Sequence, residues 1–391
     1  MLLEAAAPKG RWDWVMPGHR KRKVGILIGI LVVGALLWTP LKHLSYAIRL
    51  GFSLQKLASG ASEPNLAVIE TRIYRRNGTR EYEALCYRPA QSPAISAVVL
   101  AAGISELGCH HPRLVGLGRV LADKGMLVIT PDIREFREFQ ISAEAIDQML
   151  FWYKQASTLE GAENVQKVGL AGISFSGTLA LMAAARPEIR DTVGFAVGIG
   201  SYCNLMRCTQ EWFAAGSPAA GTDSYPTRFY AKWIVMLAAV DRIEAPRDRF
   251  FLSDVLQSLL LQKKIPAAPS NLTEEGLRWY KLATMHEGES DDALSSKIQD
   301  YLKSRIFPKL DPEDALGRLR CPVYLIHGAY DDLIPSRESV ELKQRIGRAH
   351  LLVSPFLTHT HPTNTPLSLW QKTKAVFDTL AFCYRFSQAT M

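Results

Sequence analysis

Short apolar runs alternate with longer amphipathic stretches along most of the chain, from about Leu66 to Phe386. Ala67–Tyr74 and Arg80–Tyr87 flank Asn77-Gly78, which predicts an opening pair of strands around a tight turn. Ala97–Ala101 (AVVLA) is a short, wholly apolar run suited to a strand buried on both faces. A helix is expected over Pro112–Lys124, ended by Gly125. Then come strand Met126–Thr130, helix Ser142–Gln155, strand Val168–Gly172, helix Gly177–Ala185 and strand Gly194–Gly200. This alternation predicts an α/β fold with a mostly parallel sheet between layers of helices.

The alternation stops near Ser201. Residues 201–311 carry helical patterns only, and strand–helix order resumes with Pro322–His327, Ser336–Ile346, His350–Ser354 and Ser368–Phe386. One core in two parts, residues 65–200 and 312–391, with a helical lid inserted over 201–311, accounts for this order.

The first 64 residues follow another pattern. Val24–Trp38 (VGILIGILVVGALLW) is uncharged and follows Arg20-Lys21-Arg22-Lys23. As a helix it is about 22 Å long, short of the roughly 30 Å hydrocarbon core, with Lys23 and Lys42 placed to snorkel. A signal peptide shares this layout, but Thr39-Pro40-Leu41-Lys42 offers no small-x-small cleavage site. Residues 24–40 are therefore expected to form an uncleaved single-pass transmembrane anchor. Residues 41–57 place Leu41, Leu44, Ile48 and Phe52 near one helical face, which could lie on the membrane or pack on the globular domain. Residues 41–64 read as an amphipathic juxtamembrane linker.

Charge distribution refines this picture. Of the formal net charge of +8, half lies in residues 1–23, where six Lys/Arg face only Glu4 and Asp13. The remainder has no long basic run, so nucleic acid is not an expected partner. Lys42, Arg49 and Lys56 form a thinner basic flank beyond the apolar run, so residues 1–23 are expected to be a cytoplasmic tail and the rest exported. The six cysteines form no metal-binding spacing and read mostly as small buried residues; Cys203 and Cys208 could pair in an oxidising compartment.

Gly172-Ile173-Ser174-Phe175-Ser176-Gly177 follows an apolar strand and opens a helix, the context of a nucleophile elbow. Small neighbours are needed there so that strand and helix approach closely around a strained serine; here Ser176 stands where glycine is usual. A glycine- and serine-rich turn that merely caps a helix would look similar. Two downstream segments favour the first reading. His327-Gly328-Ala329-Tyr330-Asp331-Asp332-Leu333-Ile334-Pro335 and Thr358-His359-Thr360-His361-Pro362 resemble the acid and histidine segments of the α/β-hydrolase superfamily, over about Leu66–Phe386. The resemblance implies a triad of Ser174, Asp331 and His359, with Asp332 and His361 as runners-up. The order serine, acid, histidine suits that fold.

The resemblance also implies an oxyanion hole made by the backbone N–H groups of Phe175 and Ile104, the latter after the AVVLA strand. His110-His111 in that loop reads as a feature of the helix start. Trp212, Phe213, Phe229, Tyr230, Trp233, Trp279 and Tyr280 lie in the insertion. Most should pack its helices together, and some should line an apolar pocket over the carboxyl edge of the sheet. The expectation is a membrane-held serine hydrolase for carboxylic esters or thioesters. It requires no cofactor or metal, and its partners would be an apolar acyl ester and membrane lipid. An acyltransferase with the same triad, or an inactive binding protein on this fold, are the alternatives.

Overall fold

A computed structural model describes residues 38–57, 66–214, 227–284, 290–359 and 365–391. The chain divides after Ser45 into two units. Residues 38–57 are helical, and the part in the second unit, residues 46–57, is helix α1. The expected apolar anchor lies outside the described residues as far as residue 37. Among the described residues, no helix is long and apolar enough to cross a membrane.

The second unit is built on strands β1 (Val68–Asn77), β2 (Arg80–Pro89), β3 (Ser96–Ala101), β4 (Met126–Pro131), β5 (Lys167–Ile173), β6 (Phe195–Ile199), β7 (Val323–Gly328) and β8 (His350–Ser354). They form one sheet in the order β1-β2-β4-β3-β5-β6-β7-β8. The β1–β2 and β2–β4 pairs are antiparallel and all others parallel. The β1–β2 turn uses Gly78 at φ +61°, which a Cβ would disfavour. Strands β3 and β4 are buried at every position, as expected of strands covered on both faces.

Between the strands lie α2 (Pro112–Asp123), the short α3 (Arg134–Arg137), α4 (Glu144–Gln155) and α5 (Phe175–Ala184). After β6 come α6 (Leu205–Phe213), α7 (Thr227–Ala238), α8 (Pro246–Leu260), α9 (Glu274–Thr284), α10 (Asp292–Arg305) and α11 (Glu313–Leu316). Helices α12 (Arg337–Ile346) and α13 (Leu369–Thr390) complete the fold. This is an α/β-hydrolase type of fold, with a mostly parallel sheet between two helical layers. Tyr46, Leu50, Leu114, Leu117, Phe382 and Phe386 bring α1, α2 and α13 into one core cluster, while α4, α5 and the insertion share the other.

Three sequence readings need revision. Helix α13 runs four residues past Phe386, to Thr390, because no glycine or proline follows to stop it. On α1, the face bearing Ile48 and Phe52 is exposed, and a different face with Tyr46, Ala47 and Leu50 is buried. The helix therefore packs on the domain through residues the 41–57 pattern had not singled out. All six thiols are free and buried, Cys203 and Cys208 included, so these two do not pair.

An ion pair to a buried carboxylate ties the insertion to the late core. Glu338 on α12 accepts from the Cys203 and Asn204 N–H groups at 2.9 and 2.8 Å. The Arg207 guanidinium donates to it at 2.7 Å, which satisfies a carboxylate that would otherwise be costly to bury.

Candidate active site

Strand β5 ends at Ile173 and α5 begins at Phe175, leaving Ser174 alone on the turn at φ +60°, ψ −126°. Such a conformation costs a non-glycine residue about 1–3 kcal/mol and persists only where surrounding structure enforces it. Here the Ser174 N–H donates to the Ile199 carbonyl at 2.6 Å. Ser176 Oγ accepts from the Ile173 N–H at 2.9 Å and lies 3.0 Å from the Ala101 carbonyl, to which it can donate. Ser176 is thus a fully buried staple between the elbow and β3. The glycines serve close approach. A Cβ on Gly172 would overlap the Ser176 carbonyl, and one on Gly177 would overlap Ser201 Oγ.

Asp331 and His359 come from the loops after β7 and β8. Asp331 Oδ1 accepts from the Leu333 and Ile334 N–H groups at 3.0 and 2.8 Å. Its Oδ2 lies 2.8 Å from His359 Nδ1. The two loops meet because Gly328 ends β7 against the Leu357 carbonyl, where a Cβ would overlap it. His327 supports Asp331: its Nε2 lies 2.7 Å from the Ile334 carbonyl and 3.3 Å from Asp331 Oδ2, and its Nδ1 lies 2.6 Å from Ser339 Oγ. Because the Ile334 carbonyl can only accept, Nε2 carries a proton.

Burial opposes ionisation of Asp331, but the facing His359 and the hydrogen bonds from both imidazoles outweigh it. The carboxyl consequently sits well below the usual carboxylate range. Burial alone would lower the His359 pKa; the Asp331 charge and hydrogen bond reverse this and raise it above 6.5. Asp332 makes no hydrogen bond to His359, and His361 lies outside the described residues.

Ser174 and His359 border the same cavities but make no hydrogen bond to each other. In free enzymes such contacts are commonly long and tighten around substrate. Gly103 lies against Ser174, where a Cβ would come within 3.3 Å of Ser174 Cβ. Among the described residues, neither the Phe175 nor the Ile104 N–H has a hydrogen-bond acceptor. For Phe175 this is the ordinary state of the first residue of a helix. The Ile104 carbonyl is held by the Tyr230 hydroxyl at 3.1 Å, which links this loop to the insertion.

Over these groups lies a cavity of about 720 Å³. Ser174, His359, Gly103, Ile104 and Phe175 line it, and the insertion contributes Trp212, Tyr230, Trp233, Ile234 and Leu259. Trp212 is fixed by its Nε1–H donating to the Leu333 carbonyl at 2.7 Å, and Trp233 by a bond to the Ala283 carbonyl at 2.9 Å. Phe213 and Trp279 are buried among the helices, and Tyr280 stacks on Phe251 at 6.0 Å. His111 caps α2, its Nδ1 accepting from the Arg113 N–H at 3.3 Å, and also borders the cavity.

A second cavity, of about 260 Å³, reaches Ser174 and His359 from another side. Helices α1 and α13 form much of its wall. Arg113 borders both cavities, and its guanidinium has no ion pair among the described residues. Sequence reading missed both this cavity and Arg113. No local motif marks them, since segments from opposite ends of the chain build the site.

No protein-family model matches the chain. No curated protein sequence matches it either. Among solved structures, it is similar to the Pyrococcus horikoshii acylaminoacyl peptidase, at 12% identity over 82% of this chain with a TM-score of 0.46. This chain spans 41% of that protein's length. It is also similar to Est1E from Butyrivibrio proteoclasticus, at 14% identity over 81% of this chain and 98% of that one, TM-score 0.44. A Pyrococcus furiosus esterase is similar at 12% identity over 82% of this chain and 92% of that one, TM-score 0.46.

Proposed function

We propose that the protein is a serine hydrolase that cleaves carboxylic esters or thioesters through an acyl-enzyme, with Ser174 as nucleophile, His359 as base and Asp331 as acid. The observation that carries this reading is the Asp331–His359 pair, at 2.8 Å, which borders the smaller cavity together with a serine held at positive φ. Positive φ on a non-glycine residue projects its hydroxyl from the elbow, and the imidazole supplies the base that a serine hydroxyl requires.

In this mechanism Ser174 Oγ attacks the carbonyl carbon while its proton passes to His359 Nε2. Asp331 holds the Nδ1–H tautomer and stabilises the imidazolium. The N–H groups of Phe175 and Ile104 hold the oxyanion. On collapse, the leaving alcohol or thiol takes the proton from His359. Water then attacks the acyl-enzyme by the same route and regenerates Ser174. The aromatic-walled cavity receives the acyl group, and the helical insertion acts as its lid.

A fluorophosphonate tests this assignment. It should label the wild-type protein at Ser174 and fail on Ser174→Ala. Undiminished labelling of Ser174→Ala would remove Ser174 from the role.

A further inference from the structure

The smaller cavity opens toward a surface that the hydrolytic reading leaves unexplained. Helices α1 and α13 lie side by side, with contact at Gly51, where a Cβ would come within 3.3 Å of Leu380 Cδ2. Their outer faces carry large apolar side chains. Ile48 and Phe52 on α1 are exposed, as are Leu369, Trp370, Val376 and Phe377 on α13, with Phe52 at 61% and Phe377 at 66%. The spacings i, i+4 on α1 and i, i+7, i+8 on α13 put these residues on one face of each helix. Exposed patches of this kind mark sites where protein or membrane is met.

Two observations select a membrane. First, Phe52 and Val376 belong both to the exposed patch and to the cavity wall, and Ser174, Asp331 and His359 belong to that same wall. The patch therefore surrounds an apolar passage to the nucleophile. Leu54, Leu57, Leu117 and Leu380 continue its lining. Second, these two helices carry five basic residues, Arg49, Lys56, Lys372, Lys374 and Arg385, against the single acid Asp378. Apolar side chains, an interfacial tryptophan and a basic surround are the composition of a helix surface seated on anionic lipid.

We infer that the gap between α1 and α13 is a lipid port: this face rests on the bilayer, and an apolar arm of a membrane-resident ester reaches Ser174 through the smaller cavity. The inference rests on the hydrolase reading and names its substrate class. The ester has two apolar arms, one lying in each cavity, with the scissile bond at their common wall of Arg113, Ile173, Ser174 and His359.

The experiment uses the full-length protein in phosphatidylcholine–phosphatidylglycerol vesicles. Two fluorophosphonates are compared, one with a long alkyl chain that partitions into the bilayer and one short and water-soluble. Leu380→Trp, which blocks the passage, and Phe52→Lys, at an exposed rim position, should each slow labelling by the long probe about tenfold or more. The short probe should label at the wild-type rate, which also shows that the fold survives. Equal rates with the long probe in wild type and both variants would overturn the port, as would equal slowing with both probes. Failure of both probes on wild type would instead defeat the Ser174 reading, and the port with it.

A second readout does not depend on chemistry. A fluorophore on Phe377→Cys should be quenched by lipids carrying a headgroup nitroxide, and one on Glu81→Cys in β2 should not. The native thiols, all buried, do not compete for the label. Equal quenching at the two positions would overturn the docking of this face.

Discussion

Asp331 Oδ2 and His359 Nδ1 lie 2.8 Å apart, while Asp331 Oδ1 is occupied by two backbone N–H groups of its own loop. The carboxylate is therefore fixed from one side and offers its other oxygen to the imidazole. This pairing raises the His359 pKa above 6.5 and holds Asp331 ionised far below neutrality.

The pH dependence follows directly. Only neutral His359 can accept the Ser174 proton, so activity is present above its folded-state pKa and lost as pH falls through it. Because that pKa is raised, kcat/KM should show one acid limb with a midpoint above 6.5. Asp331 adds no second limb near neutrality. Steady-state rates across the pH range, with a soluble ester, measure this; a midpoint under 6.5 would contradict the pairing.

Asp331→Asn should retain the fold, because the amide oxygen can still accept from Leu333 and Ile334. Its NH₂ then faces His359 Nδ1 and imposes the wrong tautomer. A loss in kcat of about 10⁴-fold is expected, with thermal stability close to wild type. Asp332→Asn should remain near wild type. Comparable losses in both variants would mean that the acid has been misassigned.

Much of this arrangement was legible in the sequence because it is local. The strand–turn–helix at Gly172–Gly177 carries its own steric requirements, and the apolar runs of β3, β4 and β5 could be read without partners. The strand-to-helix boundary moved from Gly177 to Phe175 because the helix starts directly after Ser174, whose carbonyl already accepts from the Gly177 N–H. What could not be read was long-range. The buried face of α1 is set by contact with α2 and α13, the second cavity exists only where α1 meets α13, and Arg113 acquires its place from both cavities. Its position on α2 alone would read as an ordinary surface cation.

Ser176 offers a separate test of register, since it is the other serine in the elbow. It is fully buried, and its hydroxyl bonds to the Ile173 N–H and the Ala101 carbonyl. Ser176→Ala should lower stability by about 1–3 kcal/mol, the usual consequence of leaving a buried group unpaired. Denaturant midpoints measure this. Fluorophosphonate labelling of the folded variant should persist, and its loss without destabilisation would place the nucleophile at Ser176.

The larger cavity predicts a change in chain-length preference. Ile234 on α7 lines it at a buried position, so Ile234→Trp should narrow it without touching Ser174 or His359. The ratio of kcat/KM for octanoyl over acetyl p-nitrophenyl esters should fall about tenfold or more. An unchanged ratio in a folded variant would show that the acyl chain lies elsewhere.

Arg113 borders both cavities beside His359, and its positive charge opposes protonation of that imidazole. Arg113 is exposed, but partial desolvation at the cavity wall lowers the guanidinium's own pKa from its ordinary value. Among the charged groups acting on His359, Asp331 comes first and Asp332 and Arg113 follow, so removing Arg113 should have a smaller effect than removing Asp331 and the opposite sign. In Arg113→Gln the His359 pKa should rise. The acid limb of kcat/KM should then move to higher pH, while the plateau at alkaline pH, where His359 is neutral in both proteins, should change little for a short neutral ester. Added salt supplies a control, because screening weakens the Arg113 contribution in wild type and has none to weaken in the variant. The two profiles should therefore converge as ionic strength rises. A limb that moves to lower pH in Arg113→Gln, or a gap between profiles that salt leaves unchanged, would show that Arg113 does not act on His359 through its charge.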